Sequence, residues 1–254
     1  GGIRLDPPAA PTPSGPSKFV VGATREDTNA TDSGSAYIYN IDGTGEVKLT
    51  ASDGAASDNF GQSVGISGTK VVVGASQNDD SGSSSGSVYV YNTDGTGEVK
   101  ITASDAASAD LFGESVAVSD TKIVVGAYGD DDSGSSSGSV YVYNTDGTGE
   151  LKITASDGAG GDEFGKSVAM SDTKVVVGAQ GVGGNRGAAY IYNLDGTGEL
   201  KIQSSDSVNR SDRFGGSVAI SDTKVVVGAP YDDDPSNSGS AYVYNLDGTG
   251  EVKI

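Results

Sequence analysis

Hydrophobic positions along this chain recur in short alternating runs, separated by stretches of Gly, Ser and Asp. The run Gly113–Ser119 alternates the small residues Ser115, Ala117 and Ser119 with Val116 and Val118, which predicts a strand. Asp120-Thr121 reads as a tight turn. Lys122–Ala127 is almost continuously β-branched and apolar, as expected of a strand covered on both faces. The next stretch, YGDDDSGSSSG, is too rich in Gly, Ser and Asp for regular structure. Ser139–Asn144 (SVYVYN) alternates again, and the TDGTGE that follows predicts a glycine-rich hairpin. Glu150–Thr154 sets Leu151 and Ile153 against Lys152 and Thr154, a pattern suited to an outer edge strand with exposed charges. A linker, ASDGAGGDE, leads onward, and no segment has a helical period.

The whole pattern repeats. FGESVAVSDTKIVVGA at Phe112 has counterparts beginning at Phe60, Phe164 and Phe214, and a shortened copy, KFVVGA, ends at Ala23. The Gly-Ala pairs begin at Gly22, Gly74, Gly126, Gly178 and Gly228, in steps of 52, 52, 52 and 50 residues. Four antiparallel strands per unit at this period predict an all-β fold, a β-propeller of about five blades. The units run 18–50, 51–102, 103–154, 155–203 and 204–254. The first unit opens directly on its second strand, so its blade is expected to lack the inner strand. Ten of the 12 tyrosines form Tyr-x-Tyr pairs on the third strand of each unit, read as packing between adjacent blades. Residues 1–17 hold five of the seven prolines and read as a linker or tail.

On these Phe-Gly and Gly-Ala motifs, residues 18–254 resemble the FG-GAP repeat family, whose units build the integrin α-subunit propeller. The full Gly-Ala-Pro occurs once, at Gly228-Ala229-Pro230. The resemblance implies an extracellular recognition or adhesion module, often one that binds calcium. Integrin-like propellers carry their calcium loop between the two motifs. Here that interval is only a tight hairpin such as Ser119-Asp120-Thr121-Lys122, so those metal residues have no counterparts.

Charge narrows the function. Of 254 residues, 35 are acidic and 16 are Lys or Arg, a net charge of -19, which disfavours nucleic acid and anionic lipid as partners. No apolar run is long enough for a membrane helix, so membrane insertion is not expected. There is no Cys and no His, so thiolate and imidazole metal sites and the usual proton shuttle are absent. The acids concentrate in the loops between second and third strands: Glu26, Asp27 and Asp32; Asp79 and Asp80; Asp130, Asp131 and Asp132; Asp232, Asp233 and Asp234. The linkers add Asp53, Asp105, Asp157 and Asp206, on the same expected face. Clustered carboxylates are what Ca²⁺ takes as ligands, so these loops are the candidate calcium sites; the alternative is a solvated acidic surface. The fourth loop, QGVGGNRG, has no acid and should lack a site. The Asp before each Phe-Gly (Asp58, Asp110, Asp162, Asp212) is expected to accept backbone N–H bonds and lock the linker, with the Phe plugged between blades. Acid pairs such as Asp233/Asp234 have the chemistry of glycoside hydrolysis, but as loop repeats without a distinct constellation they do not make an enzyme.

The expected role is a non-enzymatic binding or adhesion module, extracellular or exposed on a cell, virion or appendage surface. Its partner would be a protein or glycan. Two alternatives stay open: a secreted carbohydrate-binding, lectin-like propeller, and a structural subunit that self-assembles by adding a strand to its incomplete first blade.

Overall fold

A computed structural model describes residues 18–206, 211–232 and 238–254. Five antiparallel sheets follow one another along the chain. The first has three strands, β1 (Lys18–Ala23), β2 (Ser35–Asn40) and β3 (Val47–Leu49). The second contains β4 (Ser63–Ser67), β5 (Lys70–Ala75), β6 (Ser87–Asn92) and β7 (Val99–Ile101). The third contains β8 (Ser115–Val118), β9 (Lys122–Ala127), β10 (Ser139–Asn144) and β11 (Leu151–Ile153). The fourth contains β12 (Phe164–Met170), β13 (Lys174–Ala179), β14 (Ala188–Asn193) and β15 (Leu200–Ile202). The fifth contains β16 (Ser217–Ile220), β17 (Lys224–Ala229), β18 (Ser240–Asn245) and β19 (Val252–Lys253). Each sheet keeps chain order from inner to outer strand, and the inner strands β4, β8, β12 and β16 touch in succession. This is the β-propeller that the repeats predict, and among the described residues the first blade has three strands, with no inner one.

Second and third strands match their expected spans residue for residue. In the third sheet the inner and outer strands are shorter than the alternation suggests: β8 spans Ser115–Val118 and β11 Leu151–Ile153. Turn hydrogen bonds claim the flanking residues, for example Ser119 N–H to the Lys122 carbonyl. One short helix was not anticipated. α1 (Val182–Asn185) replaces the fourth loop, with Gly183 and Gly184 in left-handed conformations. The D-G-T-G-E hairpins fold as expected, the Asp42 carboxylate accepting from both the amide and the hydroxyl of Thr44.

The core consists of four interfaces between consecutive sheets. In one, Val72, Val88, Val90 and Ile101 of the second sheet meet Phe112, Ile123, Val125, Tyr141 and Tyr143 of the third. Phe112 is fully buried and sits edge-on to both tyrosines, with ring centroids 5.3 and 6.1 Å away. Phe60, Phe164 and Phe214 repeat this arrangement. The glycines explain the motif pair. A Cβ on Gly74 would lie 2.0 Å from the carbonyl oxygen of Gly113 in the next sheet. Gly-Ala of one blade thus packs against Phe-Gly of the following one, closer than any side chain permits.

Phe112→Ala is expected to cost about 3–5 kcal/mol, the usual range for emptying a filled aromatic site. Chemical denaturation compared with an exposed control such as Ser135→Ala measures it.

Candidate binding face

Loops between second and third strands meet the linkers that enter each inner strand, as Gly34 with Phe60, Gly86 with Phe112 and Gly187 with Phe214. The candidate acids therefore gather on one face. What neutralises them is a lysine from each outer strand. Lys152 Nζ donates to Asp105 at 2.6 Å and to Asp130 at 3.0 Å, and it pairs with Asp132. The three carboxylates converge to within 4.8 Å of one another around this ammonium. Tyr141 brings its hydroxyl to Asp105 and Asp130, and its ring lies 5.4 Å below Lys152 Nζ. Burial works against the Lys152 charge, but its bonds to Asp105, Asp132 and Asp130 outweigh that and hold its pKa above the usual lysine value.

The motif recurs with variations. Lys100 pairs with Asp53 and Asp80, and Lys253 with Asp206 and Asp232. Among the described residues Lys201 has Asp157 alone, because the fourth loop offers no acid. In the first sheet Glu26 takes both Lys48 and Tyr37; these bonds hold its pKa down at about 2. The outer-strand charges expected to be exposed are thus built into clamps.

Individual site residues part company here. Asp130 and Asp132 join Asp105 around Lys152, while Asp131 turns away to accept the Ser136 amide. Asp79 does the same with Ser84, leaving Asp80 on Lys100. Asp232 accepts from Tyr242 and Lys253. Asp233 and Asp234 lie outside the described residues. A Ca²⁺ ion would need the oxygens that Lys152 holds, so as it stands this donor set is fitted to an ammonium. A cavity of about 260 Å³ opens beside it, lined in part by Asp105, Asp110 and Asp130.

The linker aspartates lock their turns as expected: Asp58, Asp110 and Asp162 accept the amides of Ala55, Ala107 and Ala159. Burial pushes the Asp110 carboxyl up to about 6; the Ala107 bond opposes this, and the charges of Asp130, Asp105 and Asp131 reinforce it.

Nearer the inner strands lies a second group that the acidic clusters concealed. The residue before each Phe (Asn59, Leu111, Glu163, Arg213) is left-handed, with φ of 56°, 58°, 56° and 52°. A turn bond from the amide two residues after each Phe to the carbonyl before it closes the corner. The positions after Phe-Gly are Gln62, Glu114, Lys166 and Gly216, and those after Gly-Ala are Ser76, Tyr128, Gln180 and Pro230; Ser76 meets Glu114 and Tyr128 meets Lys166 across blades. Glu114 accepts from Lys166 at 3.0 Å and Ser76 at 3.1 Å. Lys166 sits 3.9 Å over the Tyr128 ring, and Arg213 lies 4.9 Å over Tyr231. Gln180 donates to Glu163 at 2.6 Å. The signal was present in the sequence: these positions change charge and polarity from copy to copy inside a motif that otherwise varies mainly among small and apolar residues.

The family model described as the FG-GAP repeat matches residues 44–91, 96–143, 148–192 and 197–244, most of the chain. The chain belongs to the FG-GAP repeat family. Each FG-GAP match starts in the hairpin before an outer strand and ends in the third strand of the next sheet, so it straddles an interface. Solved structures share the fold. TolB from Acinetobacter baumannii aligns with TM-score 0.60 at 10% identity, over 94% of this chain and 52% of that one. A chain of a nidogen/laminin complex aligns with TM-score 0.56 at 12% identity, over 93% and 78%. The FG-GAP chain thus spans about half the length of the TolB chain. It matches no curated protein sequence.

Two outcomes test the clamps. Lys152→Met is expected to cost about 1–3 kcal/mol, since it strips charged hydrogen bonds from carboxylates that include the buried Asp130. Ca²⁺ should raise the variant's melting temperature more than the parent's, both read by calorimetry against EDTA. For Asp110, a raised folded pKa means that its contribution to stability is present at pH below the ordinary carboxylate value and is lost as pH rises to about 6. Asp110→Asn removes that loss, so denaturation at pH 4 and pH 7 should show the variant gaining on the parent at the higher pH.

Proposed function

We propose that this FG-GAP propeller is a non-enzymatic binding or adhesion module that works outside a cell or on a virion or appendage surface, holding a protein or glycan against its loop face. One observation carries the reading. The residues that differ between copies at fixed register converge at the inner-strand ends, while the repeated polar residues around them are spent on internal pairs. Glu114, Lys166, Arg213, Tyr128 and the 46% exposed Tyr231 offer both charges and two aromatic rings within one surface. Such mixtures suit protein and sugar recognition.

Family membership supports an extracellular setting, as FG-GAP units are characteristic of surface proteins. The excess of acid favours neither nucleic acid nor anionic membrane, and no helix among the described residues is long and apolar enough to cross a membrane. Calcium enters the reading at one place, Asp105, Asp130 and Asp132, in competition with Lys152. The polar groups near the cavity are arranged as repeated clamps rather than as a separate acid–base or nucleophile constellation, which supports a binding role over catalysis.

The variant Tyr231→Ala should melt within about 2 °C of the parent, since its ring is exposed. It should lose the parent's signal on a glycan array or on intact cells. Undiminished binding would remove this face from the proposal, and robust turnover of a glycoside or peptide would overturn the non-enzymatic reading.

A further inference from the structure

Among the described residues the two ends of the array are unmatched halves of one interface. Inside the chain, the valine face of each sheet meets the Phe–Tyr face of the next. In the first sheet the Phe–Tyr face has no neighbour of this kind among the described residues. Val21 is 47% exposed and Phe19 36%, where their counterparts Val73 and Val71 are fully covered. Tyr37 and Tyr39, which elsewhere would grip a phenylalanine, stack on each other, and Tyr39 stacks on Phe19.

What is missing has a definite chemistry. Glu98, Glu150, Glu199 and Glu251 each accept the amide and hydroxyl of a linker serine, Ser52, Ser104, Ser156 and Ser205. Glu46 holds the same place in the first sheet and, among the described residues, receives only Tyr39. Each later tyrosine–lysine pair takes a linker aspartate, as Tyr89 and Lys100 take Asp53; Tyr37 and Lys48 have their own loop's Glu26 instead. Ser63, Ser115 and Ser167 on the inner strands donate to the carbonyls of Gly113, Gly165 and Gly215. The carbonyl of Gly61 occupies the same place with no inner strand beside it among the described residues. β1 offers the edge to which such a strand would pair, in the register that β4 takes on β5: Ser63 to Gly74, Val64 to Val73 and Ile66 to Val71.

One continuous segment meets all of these needs: Ser-Asp, then Phe-Gly eight residues after the serine, then Ser-Val-x-apolar. We propose that the first sheet is a docking site for a segment of this class supplied by another FG-GAP polypeptide. It would add antiparallel to β1, set its Phe against Tyr37 and Tyr39, its serine on Glu46 and its aspartate on Lys48. The interface is continuous with the four already formed. A second copy of this chain is the weaker occupant. Its own segments are engaged, with Phe60, Phe112, Phe164 and Phe214 fully buried, and its free valine face around Val226 brings no Phe, Ser or Asp. Residues 1–17 contain no Phe and no Ser-Asp pair. Apart from the Lys48 clamp, this surface uses none of the residues of the proposed ligand contact, so the inference goes beyond that contact and does not rest on it.

The probe is a fluorescent 18-residue peptide with the sequence of residues 102–119, TASDAASADLFGESVAVS. Its anisotropy is followed on titration with the full chain. Expected are saturable one-to-one binding and slowed amide exchange in 18–23. Affinity should fall roughly tenfold or more when the peptide's Phe is replaced by Ala, or when the protein carries Val21→Lys or Glu46→Gln. Both protein positions lie at the surface, so the fold tolerates the changes. Val226→Lys should leave binding intact. Absence of saturable binding, or binding indifferent to the peptide's Phe and to Val21→Lys, would overturn the proposal. So would self-association in sedimentation velocity that both Val21→Lys and Val226→Lys abolish, which would make the occupant a second copy. Glycan or cell binding through the loop face should be the same for the Val21→Lys variant and the parent, so the two readings fail separately.

Discussion

Everything in this propeller hangs on a backbone approach too close for side chains. Gly22, Gly74, Gly126 and Gly178 each lie against the carbonyl of Gly61, Gly113, Gly165 or Gly215 in the following sheet. That contact sets the distance at which consecutive sheets pack, and the distance sets the size of the gap that the phenylalanine fills. A methyl group on either glycine would push the sheets apart and leave the ring loose between its two tyrosines. The two motifs are therefore one device divided between neighbouring blades.

The same spacing explains how so acidic a chain holds its loops together. Lys48, Lys100, Lys152, Lys201 and Lys253 each lie over a tyrosine ring and reach across to carboxylates. The ring supports the ammonium electrostatically from below while the carboxylates bind it from the side. Few cations thus order many anions, and the loops that present the variable residues rest on a stiff base. Preorganisation of this kind lowers the entropic cost of holding a ligand.

Much of the fold could be read from residues alone, because period and alternation are governed by burial. Lys122–Ala127 and Ser139–Asn144 are strands to the residue, since their neighbours on both sides repeat too. The plugged phenylalanines and the linker aspartates were legible for the same reason: each recurs at one place in an invariant frame. The site was read less well. Composition drew attention to runs such as Asp130–Asp132, but a run of like residues does not say which one turns inward. Asp131 caps a turn while its neighbours meet Lys152 from a different strand, and only tertiary structure brings that lysine in. Leu111 in a left-handed conformation defies its local preference, so the corner that aims the variable side chains has no signature in a single copy. α1 escaped notice because four residues are too few to show a period.

The offset between the repeated sequence and the folded sheet has a genetic consequence. Because each FG-GAP match starts in one hairpin and stops just short of the next, a gene segment one period long is a cassette that carries the outer strand of one sheet with the three inner strands of the next. Unequal crossing-over between near-identical copies would insert or remove a cassette and leave every remaining seam intact. The number of blades is then a heritable length, adjustable in whole steps, and lineages can lengthen or shorten the array without inventing a new way to pack it.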